Sequence, residues 1–383
     1  MSFKDNRVMV LKCNDYDVQL IKKNLKRGLE PWGGMEAFVQ PNQQVLLKVN
    51  LVMAKKIEKS ATTHPVLVQA VTELVQEVGA KVIIGDSPGG PFNESMVKRV
   101  YRKTGMEEVA KKTGAELNWN FEETQSTFTE GEILKNITLG SFISDADVII
   151  NLPKFKSHGL TKMTGGVKNM FGAVPGLLKA EYHMKMQEIN DFSNALMDIA
   201  LATNPDLTIL DGIMGMEGEG PTGGEPIKLN TILISPNPAA LDVVMAKVAK
   251  VDPLSIPTIK IAKDRGLIYQ LEEVELLGEE VEQYSFVAPT IQDSVELLTL
   301  RLPEPIAKWL LSYMRPKPIF KEDKCVQCGV CIQSCPPKII TKTDNCVEAN
   351  LDECIRCFCC QELCPQEAVD IHRPFLGRLL FGK

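Results

Sequence analysis

Eight of the eleven cysteines fall into two copies of one spacing, and that repeat limits what the last part of the chain can fold into. The first copy runs Cys325-x-x-Cys328-x-x-Cys331-x-x-x-Cys335, with Pro336 behind it. The second runs Cys354-x-x-Cys357-x-x-Cys360-x-x-x-Cys364, with Pro365 behind it. Two-residue spacers let three thiolates of one tight loop face three corners of a cubane, and the fourth corner must be filled from elsewhere. Two runs that exchange their fourth cysteines meet that need. The pattern therefore predicts two 4Fe–4S clusters and a one-electron transfer role. Each trailing proline lacks an N–H and turns the chain away from the site. Zinc is the competing metal, because paired Cys-x-x-Cys also builds tetrahedral sites. Three evenly spaced cysteines with a fourth before proline, twice over, is not its usual arrangement. Cys359, Cys346 and Cys13 fall out of register and read as small buried side chains.

The 383 residues leave room for one large core ahead of this module. With 44% hydrophobic and 24% charged residues, the composition is that of an ordinary globular protein. No apolar run approaches the roughly 18 residues that span a bilayer, and the N-terminus lacks a signal-peptide layout. Only Cys13 precedes residue 325, so no disulfide framework points to an oxidising compartment. The expected location is the cytoplasm. A net charge of −6 argues against a general nucleic-acid binder.

Upstream of the cysteines, short apolar runs recur at 8–11, 45–47, 82–84, 148–150, 207–210 and 231–234. Runs of this kind fit strands buried on both faces, as in parallel sheets. Helix-period segments lie between them, at about 93–113, 188–203, 238–250 and 255–265. The clearest covers 65–78, with Thr62 and Thr63 as cap candidates and Gly79 closing it. The expected fold class is α/β: a large domain with a mostly parallel sheet flanked by helices, plus a small C-terminal ferredoxin-like α+β module. The expected division is an α/β domain at 1–302, a proline-marked linker at 303–318, the two-cluster module at 319–371 and a basic-apolar tail at 372–383.

Ligands in open α/β sheets bind beyond the carboxyl ends of strands. Three predicted strand ends lead into glycine-rich segments: GDSPGG (85–90), NLPKFKSHGLTKMTGGVKNMFGAVPG (151–176) and DGIMGMEGEGPTGG (211–224). The middle one is one-sided in charge. From 151 to 180 there is no acid, while Lys154, Lys156, Lys162, Lys168 and Lys179 accumulate with His158. In an acidic protein this bias favours an anionic ligand. Asp86, Asp211, Glu217 and Glu219 on the flanking segments could act as bases or bind a hard cation. Lys154, Lys156, Lys162 and Lys168 are thus expected to anchor an anionic group, with Asp86, His158 and Asp211 managing protons. Lysine neighbours should hold His158 in its neutral form. His64, before Pro65, reads as a capping or packing residue.

The segments TTHP (62–65), 85–90, 151–172, 211–224 and PNPAALDVVMAK (236–247) together resemble the family called domain of unknown function 362, over roughly residues 5–290. The cysteine module resembles bacterial-type ferredoxins carrying two 4Fe–4S clusters. The resemblance implies the fused architecture and the eight cluster ligands, and names no substrate. Two readings stay open. One is an iron–sulfur oxidoreductase that takes electrons from a redox partner protein to an anionic small molecule. The other is a non-enzymatic carrier whose large domain docks a partner redox enzyme.

Overall fold

The computed structural model describes residues 2–268, 271–289, 316–372 and 374. All six apolar runs become strands of one sheet. In chain order they are β1 (Arg7–Lys12), β2 (Gln44–Val49), β3 (Lys81–Gly85), β7 (Val148–Leu152), β10 (Leu207–Glu217) and β11 (Glu225–Ser235). Shorter strands complete it: β4 (Glu116–Leu117), β8 (Lys154–His158), β9 (Lys162–Thr164) and β12 (Glu275–Gly278). β5 (Glu123–Thr127) and β6 (Asn136–Gly140) form a separate hairpin. The sheet order is β12-β1-β11-β10-β7-β2-β3-β4. Pairing is parallel from β10 through β7, β2 and β3 to β4, and antiparallel where β11 lies between β10 and β1.

Helices cover both faces. On one, α1 (Val18–Leu29), α2 (Pro65–Glu77), α3 (Glu94–Thr104) and α4 (Met106–Thr113) bury Leu25, Val71 and Val100 against the sheet. On the other, α8 (Ile189–Thr203), α9 (Pro238–Val248) and α10 (Pro257–Asp264) bury Leu196, Val244 and Ile259. Two covered faces explain why the central strands read as unbroken apolar runs. The cap of α2 is His64, whose Nδ1 accepts the Val66 N–H at 3.2 Å. Thr62 and Thr63 do not cap it. Thr63 Oγ1 instead donates to Leu152 O (2.6 Å) and accepts from Asn50 N (2.9 Å), tying α2's approach to the strand ends.

Two of the three glycine-rich segments are not loops. After β7, Pro153 turns the chain into β8, which pairs with the extended β10 and then with β9. The short helix α6 (Gly166–Asn169) follows, its first two N–H groups held by Asp242 of α9 at 2.6 and 3.2 Å. The 211–224 segment is the far half of a long β10–β11 hairpin and its turn, with a bulge between Gly212 and Met214. Eleven-residue strands give mutual backbone pairing that short apolar runs did not signal. Of the third, Gly85 ends β3 and 86–90 stays a loop.

The cysteine module has two small antiparallel ribbons. β13 (Lys317–Phe320) pairs with β16 (Val369–His372), and β14 (Ile340–Lys342) with β15 (Val347–Ala349). Apart from residues 316–318, the proline-marked linker lies outside the described residues, as does the tail beyond His372 except Pro374. The module contacts the segment after β2 and the β10–β11 turn through Lys55 and Glu367 (2.9 Å), Thr222 Oγ1 and Glu362 O (3.0 Å), and Gln361 and Glu219 O (3.2 Å).

Candidate functional site

The eight motif cysteines separate into two sets of four. Cys325, Cys328, Cys331 and Cys364 line one cavity, while Cys335, Cys354, Cys357 and Cys360 line another. Each set takes three cysteines from one run and the last from the other. Among the described residues, no three His, Cys, Asp or Glu side chains converge as tightly as a single metal ion requires. Each set instead surrounds a space of about 360 Å³, its open part included. The donor sets therefore fit cubane clusters, held by thiolates at separated corners, better than mononuclear zinc. Cys346 and Cys359 line neither space.

A third cavity, of about 760 Å³ with its open mouth included, lies between the carboxyl ends of the parallel strands and the cysteine module. Its sheet side carries Lys48, Asp86, Lys156, His158 and Lys168, joined by Lys179 and His183 from helix α7 (Leu178–Lys185). Its module side is Ser334, Cys359, Glu362 and Leu363. The sequence-predicted residues thus divide. Asp86, Lys156, His158 and Lys168 meet here.

Lys154, Asp211 and Lys162 do not. Lys154 Nζ and Asp211 Oδ2 form a fully buried pair at 2.8 Å, closed over by the Tyr16 hydroxyl, which donates to Asp211 Oδ1 at 2.7 Å. His64 stacks on Tyr16 at 3.5 Å and gives its backbone N–H to Asp211. This cluster welds β8, β10 and α2 together. Lys162 reaches Ser255 Oγ at 2.7 Å, and Glu217 accepts the Val287 N–H.

Inside the cavity, Lys48 and Asp86 form an ion pair at 2.8 Å with both side chains under 5% exposed. Gly172 makes room for it: a Cβ there would fall 2.1 Å from Asp86 Oδ1 and 2.6 Å from Lys48 Nζ. Lys156 Nζ donates to Asn50 Oδ1 (2.8 Å) and Ala61 O (2.7 Å), and Asn50 continues through Asn169 to Asn151 in a chain of side-chain amides. Lys168 Nζ lies over the rings of Phe171 and Phe192, at 5.2 and 5.6 Å. Lys179 Nζ donates to Ser87 O and Oγ at 2.8 and 3.0 Å.

Burial pushes Lys156 down to about 7, against the pull of Glu362. Lys168 moves the same way for the same reason. His158 is held to about 4, by burial first and Lys168 second. Its tautomer is set by geometry. Nδ1 accepts the N–H groups of Leu160 (3.1 Å) and Thr161 (3.2 Å), so Nε2 carries the proton and faces Glu362 Oε1 at 3.2 Å. Burial alone would raise Glu362, but His158 and Lys168 outweigh it and bring the carboxyl to about 2. His183 stacks on Phe192 at 4.4 Å and is held neutral by burial.

Lys48, Lys179, His183 and Glu362 were absent from the sequence-level site. Lys179 stood in the acid-free stretch, and Glu362 sits between two motif cysteines, Cys360 and Cys364. Neither fact alone places a side chain in a cavity.

Fold and site together define an α/β protein carrying a 4Fe–4S ferredoxin-like electron-carrier module. A family model described as a 4Fe–4S dicluster domain matches residues 317–365, and one described as Domain of unknown function (DUF362) matches residues 45–247. The chain belongs to the DUF362 family. It is 38% identical over 261 residues to Thylakoid-associated protein sll1697 of Synechocystis sp., covering 68% of this chain and 79% of that one. Among solved structures it is similar to the lactate racemase apoprotein from Thermoanaerobacterium thermosaccharolyticum, with a TM-score of 0.40, 10% identity and 62% of this chain covered. It is also similar to a protein from Thermotoga maritima, with a TM-score of 0.38, 14% identity and 63% of this chain covered. The matches span 56% and 61% of those two chains, and likenesses this low carry no functional argument. No helix among the described residues is long and apolar enough to cross a membrane.

Proposed function

We propose that the protein is an iron–sulfur oxidoreductase in which electrons from a redox partner protein reach an anionic small molecule held in the cavity between sheet and module. The observation that carries this reading is the make-up of the cavity's module side. Ser334, Cys359 and Leu363 stand next in sequence to Cys335, Cys360 and Cys364, one or more from each cysteine set. A molecule in the cavity therefore lies against the shell of the cluster ligands. Two 4Fe–4S clusters are the reading of the two cysteine-lined spaces, and when bound they supply one-electron transfer.

The remaining work falls to this chain's own side chains. Lys156, Lys168 and Lys179 bind the anion. His158, with Nδ1 accepting two backbone N–H groups and Nε2–H directed at Glu362, fixes that carboxylate at the module side rather than removing a proton from the bound molecule. Asp86, fixed by Lys48, is the carboxylate available as a base. Lys154 and Asp211 act at a distance, by holding β8 in place. The cytoplasm remains the proposed location, set against a relative whose name associates it with thylakoids.

Anoxic purification followed by iron and sulfide analysis and native mass spectrometry tests the reading. The expected result is about eight irons per chain and a retained small anion that is lost in Lys168→Met. Four irons or fewer would remove the two-cluster assignment. An empty cavity in protein that copurifies with a redox enzyme would favour the docking carrier instead.

A further inference from the structure

We propose that the ligand of this cavity is an amphipathic anion, an acidic head on an apolar acyl or aryl body, with the head at the closed end and the body against the rim. This rests on the anion-binding reading above and adds to it the class of molecule. The lining is divided by depth. Lys48, Lys156 and His158 are at most 3% exposed, and Lys168 is 9% exposed. Leu177, on the same lining, is 42% exposed, and Val52 and Leu363 are half-buried. Polar groups therefore stand at the closed end and apolar ones at the mouth.

Local contacts make the rim one continuous edge. Val52 O accepts the Gly89 N–H at 2.7 Å. Gly89 in turn lies against Leu363, where a Cβ would fall 2.1 Å from Cδ2. The Gly90 carbonyl lies 3.0 Å from where a Cβ of Gly176 would stand, and Leu177 follows Gly176. The rim thus joins the segments after β2 and β3, the approach to α7 and the residue before Cys364. The half-buried charged groups of the lining are already engaged, Lys179 Nζ with Ser87 O and Oγ, and Glu362 with His158.

Val52 supplies a second, independent observation. Its φ of 44° lies in the left-handed region, which a β-branched side chain adopts only under strain, whereas glycine or asparagine sits there easily. Residues held in this way persist where the surrounding structure enforces them, and they cluster at ligand sites. Glycine at position 52 would still present its carbonyl to Gly89, so the turn itself does not ask for valine. What valine adds is apolar surface at the mouth. Ligand pockets are mostly apolar with a few placed polar groups, and each CH₂ such a surface removes from water tightens binding about fourfold. A compact anion such as phosphate reaches the lysines and leaves this surface uncovered.

Isothermal titration of the anoxic, cluster-loaded full chain at pH 7 and constant ionic strength tests the proposal with four probes: acetate, hexanoate, hexanamide and inorganic phosphate. Hexanoate should bind at least tenfold tighter than each of the others, out of the roughly 250-fold over acetate that four fully buried CH₂ groups would give. Val52→Asn should weaken hexanoate at least fivefold and move acetate by less than twofold. Its urea unfolding midpoint should stay level or rise, since asparagine tolerates the left-handed conformation. Leu177→Ser, at an exposed position, gives the same binding comparison should Val52→Asn not fold. Acetate or phosphate binding as tightly as hexanoate, or variants that leave hexanoate unmoved, would overturn the apolar body while leaving an anion site in place. Hexanamide binding as tightly as hexanoate would overturn the anion-binding reading and leave only an apolar pocket. Absence of binding by all four probes would overturn both.

Discussion

Replacing Asp86 by asparagine separates charge from shape at the base of the cavity. Asp86 and Lys48 lie 2.8 Å apart and almost wholly out of solvent. Asparagine can keep the second role of Asp86, accepting the Leu51 N–H at 2.8 Å, and removes only the charge. Neutralising one member of a buried pair costs about 3–5 kcal/mol, most of it from the partner left charged. Lys48 has an escape, because it can fold as the neutral amine. Deprotonating an ordinary lysine at pH 7 costs about 1.36 kcal/mol for each of the roughly 3.4 pH units below 10.4, which caps the loss near 4.6 kcal/mol. The expected loss at pH 7 is therefore about 3–4.6 kcal/mol. Burial already pushes Lys48 down with Asp86 opposing, and the substitution removes that opposition. With the folded-state value below the unfolded one, the unfolded chain binds the extra proton, so stability rises with pH and the penalty shrinks towards pH 10.4. At pH 9 the cap is only about 1.9 kcal/mol. Urea unfolding of the anoxic holoprotein, followed by far-UV circular dichroism at pH 7 and pH 9 beside wild type, reads this difference. The double variant Lys48→Met/Asp86→Asn should recover much of the pH 7 loss, since no charge then remains to desolvate. An Asp86→Asn loss of equal size at both pH values refutes the electrostatic account and leaves shape alone.

Two further outcomes bear on the cysteines and on His64. Cys359→Ser should keep about eight irons per chain, because Cys359 lines neither cysteine cavity, whereas Cys360→Ser should lose about four; iron analysis and the visible absorption of the anoxic proteins decide it. His64 caps α2 and is held to about 4, chiefly by burial, with Asp211 opposing. Its folded value lies below the ordinary 6.5, so its contribution is present above that pH and is lost as pH falls through 4. His64→Asn, which keeps a capping acceptor but does not titrate, should flatten the stability profile between pH 6.5 and 4 while costing about 1 kcal/mol or less at pH 7. An unchanged acid slope would show that His64 is not the group responsible.

Elements of the fold were legible because local chemistry and tertiary role agree in them. The β-branched run Val82-Ile83-Ile84 fits a strand covered on both sides, and eight cysteines in a twice-repeated spacing fit a cluster-binding module. The cavity was half legible. Asp86, Lys156, His158 and Lys168 came from reading glycine-rich, acid-free segments at strand ends, and Lys154, Lys162 and Asp211 came from the same reading yet stand elsewhere. The fault lay in treating 151–176 as one loop. Once Lys154-Phe155-Lys156 is a buried strand, its two lysines sit apart, Lys154 meeting Asp211 and Lys156 meeting Asn50. The missed Lys48 carried a usable signal. It lies inside the apolar run Gln44–Val49, where a two-faced strand cannot leave an ammonium alone. In a parallel pair, β2 and β3 run side by side, with Lys48 in register with Gly85. The next residue is Asp86, so a lone lysine in one strand and an aspartate just past the end of its neighbour already imply the ion pair. Glu362 offered no such handle. It reaches the cavity only because the cysteine module docks with the short helix Cys359–Glu362 facing the sheet, and that contact between segments two hundred residues apart is set by topology rather than by local pattern.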